Sequence, residues 1–126
     1  MGKILYIDDS PLMLDLVSAT LTEAGHNIIT APHAEKALEI MNQEKNIELV
    51  ISDQNMPGMD GISLVQRIRE KPENAEIIIT MLTSDTNTEL SAQAKKAGVQ
   101  GIISKPIDKT NLVKVVNMLL KTKKAS

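Results

Sequence analysis

Short runs of β-branched and other apolar residues alternate along this chain with longer stretches in which apolar residues recur at helical spacing. The short runs predict five strands, and three of these are nearly continuous apolar runs, which is typical of strands covered on both faces. The predicted strands cover residues 3–7, 27–31, 47–52, 76–81 and 99–104.

Helix signals lie between and after these strands. Ser10 as an N-cap and Pro11 behind it open the first predicted helix, which stops at Gly25. Apolar spacing predicts four more helices, around residues 34–41, 62–68, 86–97 and 112–120, followed by a polar tail at 121–126. Strict alternation of strand and helix predicts right-handed βαβ units around an open, doubly wound parallel sheet, an α/β fold formed by one domain at residues 1–126.

Composition narrows the possible functions. The 126 residues include no cysteine, which excludes disulfides, zinc–thiolate sites and a cysteine nucleophile within this sequence. A net charge of −2 and a single aromatic residue, Tyr6, do not indicate nucleic-acid binding or base stacking. No apolar run approaches a membrane span, and the first residues do not resemble a signal peptide. We therefore expect a cytoplasmic domain with no direct contact to nucleic acid and no membrane insertion.

Residues able to carry chemistry follow four of the five predicted strands. They are Asp8 and Asp9 after the first, Asp53 after the third, Thr83 and Ser84 after the fourth, and Lys105 after the fifth. Because the carboxyl ends of parallel strands meet at one edge of a sheet, we expect these side chains to converge there. A single aspartate after a strand is commonly a cap or a turn residue, whereas the whole set indicates a site.

Three carboxylates in one place need a counter-charge. Two unit charges about 5 Å apart repel by roughly 3 kcal/mol at an effective dielectric constant near 20. A hard divalent cation with oxygen ligands relieves this repulsion, and Mg²⁺ is the cation that we expect. The carboxylate of Asp53 can act as a nucleophile toward a phosphoryl group, whose oxygens Lys105 and the Thr83 hydroxyl would then bind.

As a set, the motifs at these strand ends resemble the receiver domains of two-component response regulators, and most of all the stand-alone chemotaxis-type receivers. The motifs are LYIDDS, LVISDQNMPGMDG, MLTSD and SKP, and the resemblance covers about residues 3–121. It implies a flavodoxin-like strand order 2-1-3-4-5. That order is taken over from the chemotaxis protein of this family and does not follow from the hydrophobic pattern.

The resemblance also implies roles for the residues at the site. Asp53 would accept the phosphoryl group of a phosphohistidine on a sensor histidine kinase or a histidine phosphotransfer protein. Asp9 would bind Mg²⁺ directly, Asp8 would do so mainly through water, and Asn55 would offer its backbone carbonyl. Lys105 would pair with the phosphoryl oxygens. The chain would thus be a phosphoacceptor with self-catalysed phosphotransfer and autodephosphorylation rather than a metabolic enzyme.

Neighbouring residues would modulate this switch. The Thr83 hydroxyl would move toward the phosphoryl group and draw the backbone of Ser84 and Asp85 with it. Asp85 has two interpretations, as a helix cap or as a residue that guides the water removing the phosphoryl group. Pro106 follows the lysine at a position suited to a cis bond. Ile102 stands where many family members carry Tyr or Phe, so the usual aromatic output residue is missing.

Four alternatives stay open at this point. The chain could be a receiver fragment of a longer regulator. A stand-alone receiver would instead signal through contacts with a downstream protein, and a phosphatase could remove its phosphoryl group. A hydrolase with an aspartyl-phosphate intermediate needs a second aspartate where this chain has Asn55. A dinucleotide or flavin binder lacks its glycine motif here. A metal-free pseudo-receiver is disfavoured because the acidic, hydroxyl and lysine positions are all filled.

Overall fold

The computed structural model describes residues 2–85 and 87–125 and contains a five-stranded parallel sheet in the order β2-β1-β3-β4-β5. The predicted fold class and strand order are therefore confirmed. The strands are β1 (Lys3–Ile7), β2 (Asn27–Ala31), β3 (Leu49–Ser52), β4 (Ile78–Thr83) and β5 (Gly101–Ser104). The helices are α1 (Pro11–Glu23), α2 (Ala34–Gln43), α3 (Gly61–Arg69), α4 (Thr88–Ala97) and α5 (Lys109–Ala125), and a 3₁₀ turn covers Pro72–Asn74.

Helices cover both faces of the sheet. One apolar cluster joins alternate residues of β1, β3 and β4 to α2, α3 and α4, and a second joins the remaining alternate residues to α1 and α5. Because successive side chains of a strand point to opposite faces, Leu5 and Ile7 lie in the first cluster while Ile4 and Tyr6 lie in the second. The interior strands β3 and β4 are buried at every position, which agrees with their mostly apolar sequences.

Local sequence signals fix the helix starts near the carboxyl edge of the sheet. The Ser10 hydroxyl accepts a hydrogen bond from the Met13 backbone N–H, and Pro11 occupies the first helical position of α1. Asp60 caps α3 in the same way through the Ser63 N–H at 2.9 Å. These caps end the loops that follow β1 and β3, so each loop is held at both sides.

Several strand boundaries differ from the prediction. β3, β4 and β5 each begin two residues later than expected, because sheet pairing starts at Leu49↔Ile78 and Thr80↔Gly101. Ile47 and Ile77 are buried in the core without pairing in the sheet, so the apolar run is longer than the strand. β4 in turn continues to Thr83, which the sequence placed after the strand.

The predicted ends of two helices also differ. α4 begins at Thr88 with Asn87 as its N-cap, and the predicted first residue, Thr86, lies outside the described residues. α5 continues through residues that were expected to form a polar tail and ends at Ala125, while Ser126 lies outside the described part. Within the described residues, the helices lack the combination of length and apolar character that crossing a membrane requires.

Candidate phosphoacceptor and metal site

Backbone hydrogen bonds continue the sheet one residue past three strands and thereby fix the site residues. The Asp8 N–H donates to the Ala31 carbonyl, the Asp53 N–H to the Ile7 carbonyl, and the Lys105 N–H to the Thr83 carbonyl, at 3.2, 2.9 and 3.0 Å. The first residue after each of β1, β3 and β5 is thus held in place by a backbone hydrogen bond to a neighbouring strand. All of these positions lie at one edge of the sheet, as parallel pairing demands.

Three aspartates meet at this edge. Asp8, Asp9 and Asp53 each place a carboxylate oxygen within 4.8 Å of the others. Asp8 is fully buried and Asp53 is 5% exposed, whereas Asp9 faces solvent. The cluster therefore has a buried floor and one open side through which an ion or a substrate can approach.

Lys105 reaches the cluster from the end of β5. Its Nζ lies 3.3 Å from Asp8 Oδ2 and 3.4 Å from Asp53 Oδ2, and both carboxylates are almost completely enclosed. One ammonium group shared between two carboxylates leaves the three aspartates undercompensated. When all four side chains are ionised, they carry a combined charge of −2.

Burial is the main reason why the pKa of Asp53 is raised above its ordinary value, and the negative charge of Asp8 raises it further. Lys105 acts in the opposite direction through its charge and its hydrogen bond, without reversing the sign. The folded protein thus favours the anionic form of Asp53 less than water does. A hard divalent cation suits this cluster of carboxylate oxygens, because it favours the ionised form and is bound best by such ligands.

Tyr6 contacts the same cluster, a role that its status as the single aromatic residue does not predict. Its hydroxyl donates a hydrogen bond of 2.6 Å to Asp8 Oδ2, and the Ser10 N–H donates to Asp8 Oδ1 at 3.0 Å. Burial, this hydrogen bond and the charges of Asp8 and Asp53 all raise the pKa of the phenol above its ordinary value. Tyr6 and Asp8 are two residues apart along an extended segment, so their side chains lie on the same face of the sheet. This spacing is the sequence signal from which their proximity could have been predicted.

The hydroxyl of Thr83 is buried at the end of β4 and accepts a hydrogen bond from the Asp85 N–H at 3.1 Å. The Asp85 carboxylate in turn accepts from the side-chain amide of Asn87 at 2.8 Å. Asn87, not Asp85, caps α4 by accepting from the Leu90 N–H. The interpretation of Asp85 as the helix cap is therefore wrong.

The remaining predicted residues, except Ile102, lie in the loops after the strand ends, which form the rim of the site. Asn55, Ser84 and Pro106 are exposed, Ile102 is half-buried in β5, and the bond between Lys105 and Pro106 is cis. Gly61 closes the loop that carries Asn55. A Cβ atom at Gly61 would collide with the carbonyl oxygen of Asp53, so glycine is required for this close approach.

Comparison with known proteins places the whole arrangement in one family. The family model described as "Response regulator receiver domain" matches residues 4–117. A chemotaxis protein CheY homolog from Campylobacter jejuni is 33% identical over 105 residues, which cover 82% of this chain and 81% of that protein.

The other similarities differ in how much of the matching protein they cover. A putative two-component response regulator, ARR21 of Arabidopsis thaliana, is 33% identical over 97% of this chain, which spans 19% of that protein. The structure of chemotaxis protein CheY4 from Vibrio cholerae has 33% identity and a TM-score of 0.90, covering 94% of this chain and 98% of that one. With its strand order, its acidic edge and a family match over residues 4–117, the chain belongs to the response regulator receiver domains.

Proposed function

We propose that this chain is a signalling switch that accepts a phosphoryl group on Asp53. Receiver domains act in phosphorylation signalling rather than in metabolism, and the family match extends that general role to this protein. The observation that supports Asp53 as the acceptor is its position. It is a nearly buried carboxylate that contacts Lys105 at 3.4 Å and lies within 4.8 Å of the oxygens of Asp8 and Asp9.

In the proposed reaction, a carboxylate oxygen of Asp53 attacks the phosphorus of a phosphohistidine. The new O–P bond forms as the N–P bond breaks, and the imidazole keeps the electron pair and takes up a proton. The product is an acyl phosphate on Asp53. Lys105, already 3.4 Å from the Asp53 carboxylate, offsets the negative charge that this group brings into the site.

Asp8, Asp9, Asp53 and the backbone carbonyl of Asn55 would hold Mg²⁺. Three of these residues supply carboxylate oxygens that lie within 4.8 Å of one another, which fits the oxygen preference of the ion. When bound, the ion would neutralise charge on the transferring phosphoryl oxygens. Asp8 and Asp53 provide the buried side of the site and Asp9 its exposed side.

Autodephosphorylation would use two polar residues at the rim. Asn55 is exposed, and Asp85 is partly buried beside Thr83, so both can orient a water molecule for attack on the phosphoryl group.

Movement of the Thr83 hydroxyl toward the phosphoryl group would break its present hydrogen bond with the Asp85 N–H. The backbone after β4 would then carry the signal toward α4.

The donor would be a sensor histidine kinase or a histidine phosphotransfer protein, in the cytoplasm. Output would pass through contacts with a downstream protein, and a phosphatase would shorten the signal. The CheY homolog, 81% of whose length is matched here, supports a stand-alone chemotaxis-type role. The match to 19% of ARR21 supports the alternative of a receiver within a longer regulator.

Phosphorylation with a small-molecule donor tests the proposal. Incubation with acetyl phosphate and Mg²⁺ should add one phosphoryl group, visible in the intact mass. Asp53→Asn should abolish the addition, and a chelator should slow it severely. Asp15→Asn, an exposed substitution of the same kind on α1, should behave like the unaltered protein. Undiminished labelling of Asp53→Asn would show that another residue is the acceptor.

A further inference from the structure

Among the described residues, the Tyr6 hydroxyl makes the shortest hydrogen bond to a carboxylate of the acidic cluster. Tyr6 is fully buried, it is the single aromatic residue of the chain, and its hydroxyl lies 2.6 Å from Asp8 Oδ2. A carboxylate oxygen can only accept, so the phenol is the donor. The same oxygen is 3.3 Å from Lys105 Nζ. Two protein donors thus share one oxygen of a residue that we place at the metal site.

Asp8 depends on these protein donors because its own side chain is enclosed. It is 0% exposed, and its other oxygen accepts from the Ser10 N–H at 3.0 Å. Three donors from β1, α1's N-cap and the end of β5 therefore define the orientation of the carboxylate. A buried carboxylate that loses one of its donors has less compensation for its charge, which costs more than a lost contact at the surface.

The three donors are not equally fixed. Lys105 is also 3.4 Å from Asp53 Oδ2, and its side chain is partly exposed, so it can shift toward an altered Asp53. Tyr6 is held by the apolar cluster between the sheet and α1 and α5. Its ring is fully buried there, so Tyr6 has less freedom than Lys105 to shift away from Asp8.

We propose that Tyr6 is a positioning residue that holds the Asp8 carboxylate for Mg²⁺ and that its ring reports on occupancy of the metal site. The proposal rests on the metal site in the proposed function. Groups that hydrogen-bond a metal-binding side chain from behind commonly change metal affinity by 10- to 100-fold when removed. Because Tyr6 is the single aromatic residue, the near-ultraviolet absorption of the protein comes from the ring whose hydroxyl touches Asp8.

The matched variants are Tyr6→Phe and Thr80→Val. The first keeps the ring in the core and removes its hydroxyl. The second removes another fully buried hydroxyl, which donates to the Gly101 carbonyl at 2.7 Å and does not contact the aspartates. Both changes delete one buried hydrogen bond in the sheet, so they separate loss of core stability from loss of the donor to Asp8.

Isothermal titration with Mg²⁺ alone should give Tyr6→Phe a Kd about tenfold higher than that of the unaltered protein. Thr80→Val should bind as the unaltered protein does. In the unaltered protein, Mg²⁺ should also shift the near-ultraviolet tyrosine band, with a midpoint equal to the Kd from calorimetry. This spectral measurement still tests the proposal if Tyr6→Phe does not fold.

Three results would overturn the proposal, and they can be told apart. Equal Kd values for Tyr6→Phe and the unaltered protein would mean that the hydrogen bond to Asp8 only pairs the buried hydroxyl and does not affect metal binding. A tyrosine band that stays constant while calorimetry shows saturation would mean that the hydroxyl does not sense the site. Absence of Mg²⁺ binding by the unaltered protein would remove the metal site of the proposed function itself, together with this role for Tyr6.

Discussion

Asp53→Asn should stabilise the protein against unfolding when no divalent cation is present. The substitution keeps the shape of the side chain and removes one of three negative charges that lie within 4.8 Å of one another. Asp53 is 5% exposed, so its charge is poorly solvated in the folded state. Removing a charge that the folded protein disfavours lowers the free energy of the folded state relative to the unfolded one.

The structure sets the size of this effect. At an effective dielectric constant near 20, the buried carboxylates of Asp8 and Asp53, whose oxygens lie within 4.8 Å of each other, repel by about 3.5 kcal/mol or more. The attraction between Lys105 and Asp53 at 3.4 Å is about 5 kcal/mol on the same basis. The cost of burial, which is the largest contribution, and the repulsion by Asp8 together exceed this attraction. We therefore expect Asp53→Asn to raise the free energy of unfolding by about 2 kcal/mol.

The effect should depend on pH in a defined direction. The pKa of Asp53 in the folded protein lies above the ordinary 3.8, so the folded state binds this proton more tightly than the unfolded state does. The destabilisation of the unaltered protein by Asp53 is consequently absent below the pKa that Asp53 has in the unfolded chain. It develops as the pH rises through the pKa that Asp53 has in the folded protein. The difference in stability between the two proteins should be larger at neutral pH and should shrink as the pH falls toward about 4.

Urea denaturation with a chelator present measures the difference, and Asp15→Asn controls for a change of net charge on an exposed helix face. With Mg²⁺ at about tenfold its Kd, the unaltered protein should gain about 1.4 kcal/mol, and Asp53→Asn should gain less. If Asp53→Asn is no more stable than the unaltered protein without the cation, the charge of Asp53 does not destabilise the folded state.

Three further outcomes follow from the site. Asp9→Ala should weaken Mg²⁺ binding strongly and Asp8→Ala less; equal and negligible effects in a titration would make the acidic pair structural. With Asn55 and Asp85 placed to orient water, phosphorylated protein should decay within seconds to minutes (order of magnitude) in a mass-resolved time course, and survival for many hours would contradict this. Beryllofluoride should shift the amide resonances of residues 83–90 most strongly; silence throughout residues 83–107 would exclude this face from output.

The sequence predicted that the side chains of the site would converge, because parallel strands have one carboxyl edge. Asp8, Asp53 and Lys105 come from three separate strand ends, and strand order alone brings them together. Hydrophobic pattern predicted strand boundaries less well. Ile47 and Ile77 are buried as strand residues would be, yet they lie outside the ladder, since burial does not require pairing.

Other features depended on contacts between side chains that spacing does not reveal. Tyr6 was one apolar residue among several in β1, and its role at Asp8 needs the direction of the hydroxyl. Asp85 and Asn87 are both capping residue types, and the geometry of the turn selected Asn87. The lysine-rich end of α5 gave no stop signal such as glycine or proline, and the helix continues through it.

Trapping the phosphorylated residue tests the central claim most directly. After reaction with acetyl phosphate and Mg²⁺, borohydride reduces an aspartyl phosphate to homoserine, and peptide mass spectrometry then locates the altered residue. We expect conversion at Asp53 and at no other aspartate, with Asp8 and Asp9 unchanged. Conversion at Asp8, Asp9 or Asp60, or a phosphorylated protein that yields no homoserine, would contradict it.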